Sequence, residues 1–118
     1  MLKITGKEKK AILEYEKLLF AALPERVQQI ILFGSKARGD ADSSSDIDLL
    51  IVVTKNGKTV SKTVAELTHE PIAKFRADLS PIVVENDFFK NWSPLLEHVK
   101  KEGIVLWTRS KAGKNMLS

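Results

Sequence analysis

Apolar positions along this chain fall into two regimes. From Lys7 to Leu23 they recur at Ile12, Tyr15, Leu19 and Ala22, close to a helical period, and Pro24 closes the segment. The period then vanishes. Gln29 leads into Ile30-Ile31-Leu32-Phe33, an apolar run up to Gly34 that predicts a strand covered on both faces. Gly39 to Ser45 is a polar loop of turn-forming residues that cannot carry a core. It leads into Asp46-Ile47-Asp48-Leu49-Leu50-Ile51-Val52-Val53, whose length and β-branched content predict a second central strand. Asn56-Gly57 predicts a turn, after which Val60, Val64 and Leu67 return to helical spacing until Pro71 breaks or kinks the chain. Ala77 to Val84 reads as a third strand and Asn86 to Phe89 as a short helical or loop segment. Ser93-Pro94 suits the cap and first turn of a helix through Glu102, Gly103 ends it, and Ile104 to Trp107 suits a short edge strand.

The polar residues at the strand ends carry the chemistry. Gly34 permits a sharp turn after the first strand, and Ser35 is placed to cap or open a short helical turn through Lys36, Ala37 and Arg38. Backbone N–H groups at such a start lack helical partners and attract anions. Ten residues separate Ser35 from Asp46, and one separates Asp46 from Asp48. In a strand those two carboxylates share a face, with Ile47 and Leu49 opposite. Like charges so close repel, and a divalent cation removes the conflict. Oxygen ligands without histidine or cysteine nearby suit Mg²⁺ or Mn²⁺, which binds through one or two carboxylates together with substrate phosphates. The parts predict in-line displacement at the α-phosphate of a nucleoside triphosphate.

Singly, each element has an ordinary explanation: a turn, a strand end, a carboxylate paired with a lysine. The combined spacing outweighs those readings. Arg38 could clamp phosphate oxygens bidentately or pair with Asp40, Asp42 or Asp46 to hold the loop. Lys36 reads as a solvated charge.

Gly34-Ser35-Lys36-Ala37-Arg38-Gly39 through Ser45-Asp46-Ile47-Asp48-Leu49 resembles the signature of the DNA polymerase β-like nucleotidyltransferase superfamily. It is most similar to the minimal nucleotidyltransferase group, the antitoxin half of pairs with a HEPN-domain ribonuclease. The resemblance implies an α+β fold, a small mixed β-sheet with helices packed mainly on one face. It also implies that Asp46 and Asp48 bind metal and that Gly34, Ser35, Arg38 and Ser45 hold the nucleotide, with ATP as donor. A third carboxylate on a later strand would join them and help activate the attacking group. Asp78 is the candidate, although the apolar register of Pro81 to Val84 could bring Ser80 to that position instead; the carboxylate is favoured because it accepts a proton readily. The implied partner is a HEPN toxin and the implied acceptor a tyrosine hydroxyl.

Length and composition set the frame. At 118 residues the chain is expected to form one domain over 1–108, followed by a flexible basic tail over 109–118 in which Arg109, Lys111 and Lys114 stand without an acid. There is no cysteine, which excludes disulfides, thiolate zinc sites and a thiol nucleophile. His69 and His98 lack metal-ligand spacing. No window resembles a signal peptide or a membrane span, so the cytoplasm is the expectation. The net charge of +4 is mild; nucleic acid is not favoured as a partner, and a homo-oligomer stays open. Phe88, Phe89, Trp92 and Trp107 are read as core filling, with an aromatic protein anchor as the alternative.

Against that resemblance, these 118 residues are expected to carry no helical domain of the kind with which larger nucleotidyltransferases hold an acceptor, and the acceptor is then expected from another subunit or a separate partner. Two other readings compete with protein modification: a non-catalytic module that neutralises a toxin by covering it, and an aminoglycoside-type nucleotidyltransferase subunit.

Overall fold

The computed structural model describes residues 4–39 and 45–109. Helix α1, Gly6–Ala22, begins one residue earlier than the apolar period indicates, because Thr5 and Glu8 cap it reciprocally. Glu8 N–H donates to Thr5 Oγ1 at 3.2 Å and Thr5 N–H donates to Glu8 Oε1 at 2.9 Å. Strand β1 is Val27–Phe33, the short helix α2 is Ser35–Arg38, and strand β2 is Ile47–Val53. Helices α3, Gly57–Glu66, and α4, His69–Phe75, carry the chain across to β3, Leu79–Glu85. Pro71 sits in the first turn of α4, where a missing N–H leaves no helical bond unmade. A 3-10 turn over Asn86–Lys90 precedes α5, Pro94–Glu102, and β4, Ile104–Thr108, closes the sheet. Ser93 caps α5 by accepting from Leu96 N–H at 3.1 Å.

The sheet is mixed, in the order β3-β2-β1-β4. β1 runs antiparallel to both β2 and β4, and β2 runs parallel to β3. Pro81 is tolerated in β3 because β3 is an edge strand.

Alternation along β2 separates two cores. Ile47, Leu49, Ile51 and Val53 join Ile12, Tyr15 and Leu19 of α1 and Val60 and Val64 of α3 in the larger one. Leu50 and Val52 point the other way, into a smaller cluster with Ile31, Phe33 and Val99 of α5. Most helical cover therefore lies on one face, as expected, and α5 covers the other. Tyr15 ties the larger layer together, its hydroxyl donating to Val64 carbonyl oxygen at 2.7 Å. Among the described residues no helix is long and apolar enough to cross a membrane.

The aromatic residues divide. Phe88 packs against the smaller core, and Trp107 stacks obliquely on Phe20 with centroids 4.6 Å apart. Trp92 is 70% exposed, its indole N–H donating to Glu97 at 3.1 Å, and Phe89 is also exposed. Core filling thus accounts for two of the four. Arg109, expected to open the tail, is held by the fold: its backbone N–H donates to Gln28 O, its Nε donates to Val27 O at 2.9 Å, and its guanidinium lies over Trp107. The remainder of the expected tail lies outside the described residues.

Candidate active site

The end of β1, the turn after it and the start of β2 meet at one end of the sheet. Gly34 has φ +79° and ψ −160°, a region essentially reserved for glycine, and it occupies the N-cap position of α2. Of the two roles expected for Ser35, capping or opening the turn, it takes the second: Ser35 is the first residue of the helix, and no side chain caps it. A four-residue helix capped by backbone alone leaves its first N–H groups without intrahelical acceptors.

The turn and the acid pair converge. A Cβ built on Gly34 would overlap Asp48 Oδ2 and lie 3.2 Å from Asp48 Cγ, so the carboxylate rests against the bare glycine backbone. Phe33 is the antiparallel partner of Asp48, which fixes this approach through strand register. Burial pushes the Asp48 carboxyl above its ordinary value. The charge of Asp46 adds to the rise, Arg38 opposes it, and Glu102 raises it further. Two like-charged acids at a partly covered strand end are a donor set suited to a hard divalent cation.

Asp46 is exposed and precedes the first residue of β2, whereas Asp48 is half-buried within it. On β3, Ser80 is the parallel partner of Asp48. Asp78 lies one residue before that strand, and its carbonyl accepts from Ile47 N–H at 2.8 Å. The same register carried back one residue brings Asp78 alongside Asp46, at the exposed lip. Among the described residues no three carboxylate or imidazole side chains come close enough to form a cation cage by themselves. Ser45 is half-buried just before the acid pair, and Asp40 and Asp42 lie outside the described residues.

The two cations of the turn are placed differently from their sequence reading. Lys36 is not a solvated charge: it is 2% exposed, and its Nζ pairs with Glu8 Oε2 at 2.6 Å. Burial raises the Glu8 carboxyl, but hydrogen bonds from Lys36 and Thr5 and the Lys36 charge outweigh it, and the net direction is down. Glu8 thus joins the start of α1 to the turn. Arg38 Nη1 donates to Glu102 Oε2, on α5, at 2.9 Å, a partner outside those foreseen, of which Asp40 and Asp42 lie outside the described residues. His98 Nδ1 lies 3.8 Å from the other Glu102 oxygen. Sequence reasoning missed both acids. The Thr5-x-x-Glu8 spacing was a capping signal, but nothing local links Glu8 to Lys36 or Glu102 to Arg38.

A mixed sheet with the Gly-Ser turn and the acid pair at one end defines a nucleotidyltransferase, and the chain belongs to that family: the family model described as polymerase beta, nucleotidyltransferase matches residues 16–112. It is 38% identical over 103 residues to "Putative protein adenylyltransferase MJ0604" of Methanocaldococcus jannaschii, an alignment covering 85% of this chain and 98% of that one. A second protein so named from that organism, MJ0141, is 34% identical over 73 residues, covering 61% of this chain and 74% of its own. Among solved structures, a chain from a toxin–antitoxin complex with AMP-PNP superposes with TM-score 0.61 at 24% identity, covering 89% of this chain and 77% of that one. A chain from the complex of tri-AMPylated Shewanella oneidensis HEPN toxin with an MNT antitoxin gives TM-score 0.51 at 24% identity, covering 83% and 72%. These structural likenesses establish a shared fold.

Proposed function

We propose that this nucleotidyltransferase is a Mg²⁺-dependent protein adenylyltransferase, acting in the cytoplasm as the antitoxin partner of a HEPN-domain toxin and moving AMP from ATP onto a toxin hydroxyl. The observation that carries the reading is the contact between the Gly34 backbone and the Asp48 carboxylate, which joins an anion-binding turn to a cation-binding acid. The curated relatives named as protein adenylyltransferases, and the fold shared with toxin–antitoxin complexes, support protein as the acceptor class.

Each residue then has a task. The backbone N–H groups opening α2 hold phosphate oxygens, with Gly34 allowing the close approach and Ser35 and Ser45 contributing hydroxyls. Arg38, oriented by Glu102, offers a planar fork to the triphosphate. Asp46 and Asp48 hold the metal, which when bound neutralises phosphate charge and polarises the reacting phosphoryl group. Asp78, beside Asp46 at the open lip, accepts the proton of the attacking hydroxyl. The hydroxyl oxygen bonds to the α-phosphorus, the α–β anhydride breaks, and pyrophosphate leaves. Asp78 is preferred to Ser80 because it carries the basic group and stands on the exposed side from which an acceptor must come.

The test is transfer of label from α-phosphate-labelled ATP to a co-purified HEPN-domain partner. Wild-type protein should label the partner and Asp46→Ala/Asp48→Ala should not; equal labelling by both would refute the assignment.

A further inference from the structure

The helical layer carries an excess of cations beside the site. Lys7 and Lys10 of α1, with Lys74 and Arg76 at the end of α4, line a cleft of about 300 Å³ whose remaining wall is Phe75. A hollow of about 250 Å³ shares Lys7, Phe75 and Arg76 with it and reaches Thr5 and Glu8. Glu8 is the residue that holds Lys36 in the Gly-Ser turn. On the other wall, Arg76 is followed by Ala77 and then by Asp78, whose carbonyl bonds to β2 next to the acid pair. The cleft therefore lies near the end of the sheet where β2 and β3 begin, on the face covered by α1 and α4, while Asp48 shares the α5 face with Leu50 and Val52.

These charges are left over by the fold. Among the described residues no carboxylate lies within ion-pair distance of Lys7, Lys10 or Arg76, and Lys74 has Glu14 at 4.0 Å. Four cations around one cleft repel each other, and an anionic occupant would relieve that repulsion. Phe75 is the only aromatic in the cleft wall among the described residues; it packs partly on the larger core, and the Lys74 ammonium lies 5.3 Å over its ring. Single-stranded RNA draws much of its affinity from base stacking, whereas a carboxylate-rich peptide needs only the charges.

We propose that this cleft docks an acidic segment of the acceptor protein and so delivers the acceptor hydroxyl to the Asp78 side of the site; the proposal rests on the protein-adenylyltransferase reading above. An acceptor must approach a triphosphate and several carboxylates, a strongly negative neighbourhood. Cations beside the site, outside the reacting centre, offset that field and orient the incoming chain.

The test uses Lys7→Glu/Lys10→Glu. Both side chains are exposed, and an acid at position 7 suits the N-terminal turn of α1, so the fold should persist; circular dichroism and an unchanged KM for ATP verify that. With the HEPN-domain partner as acceptor, the variant should raise acceptor KM about tenfold or more while kcat stays level, the pattern of lost binding that is equal in ground and transition states. Fluorescein-labelled hexaglutamate should bind wild-type protein in a salt-sensitive manner, bind the variant at least tenfold more weakly, and compete with the acceptor. Lys74→Glu, on the opposite wall, should weaken both readouts in the same direction. Equal acceptor KM in wild type and variants overturns the docking cleft alone. So does loss in the variants of hexauridylate RNA binding while hexaglutamate fails to bind. Absence of any transfer by wild-type protein instead sinks the adenylyltransferase reading, and the docking role with it.

Discussion

Replacing Lys36 by methionine tests whether the Gly-Ser turn is pinned from below. The substitution keeps a flexible apolar stem of similar length but removes the ammonium that Glu8 binds at 2.6 Å. The Glu8 side chain is only 11% exposed, so its carboxylate would be left largely out of water with its main counter-charge gone. Removing one member of a buried pair costs about 3–5 kcal/mol. The lower end, about 3 kcal/mol, applies here because Glu8 keeps its bond from Thr5 N–H and a little solvent. For a domain whose total stability is roughly 5–15 kcal/mol that is a large fraction. Urea unfolding followed by far-ultraviolet circular dichroism measures it directly. The discriminating construction is the pair Glu8→Gln/Lys36→Met. Glutamine preserves the capping bond to Thr5 while removing the charge, and the double variant should return to within about 1 kcal/mol of wild type. A Lys36→Met cost below about 1 kcal/mol, or single-variant effects that simply add in the double variant, would refute the buried-pair argument.

Other expectations follow from the same geometry. Gly34→Ala places a Cβ on Asp48 Oδ2 at φ +79°; it should cost about 1–3 kcal/mol in thermal or urea unfolding and abolish nucleotide binding, and a variant with wild-type affinity would contradict the close approach. Asp78→Asn should lower kcat by roughly 10²–10⁴-fold in single-turnover transfer while Ser80→Ala stays near wild type; the reverse ranking would move the proton acceptor to Ser80. Because burial and the charges of Asp46 and Glu102 raise the Asp48 carboxyl, metal-dependent nucleotide binding should begin to fail on acidification while the pH is still above the ordinary value of 3.8. Glu102→Gln removes one raising charge and should move that onset, read by titration calorimetry across pH, to lower pH.

Much of this architecture was legible because local patterning and tertiary role agree. The runs ending at Phe33 and Val53 are apolar on both sides, and the structure buries both sides, between α1 and α3 on one face and α5 on the other. Ser93-Pro94 and Gly103 marked the bounds of α5 through cap chemistry that needs no tertiary partner. Interactions distant in sequence were not legible. Lys36 looks solvated among polar neighbours, yet its partner stands 28 positions upstream on another helix. Arg38 also pairs with Glu102, 64 positions away, which no local pattern announces. Likewise, the choice between Asp78 and Ser80 depends on where β3 joins β2. That point is set by hydrogen bonding between the strands and cannot be read from alternation within one of them.

The central claim is that the bend after β1 and the acids opening β2 form one metal–triphosphate site. Titration calorimetry with AMP-PNP, with and without Mg²⁺, measures this without needing any acceptor. Saturable binding that requires the metal and disappears in Asp46→Asn/Asp48→Asn is the predicted result. Metal-independent binding, or equal affinity in that double variant, would contradict it.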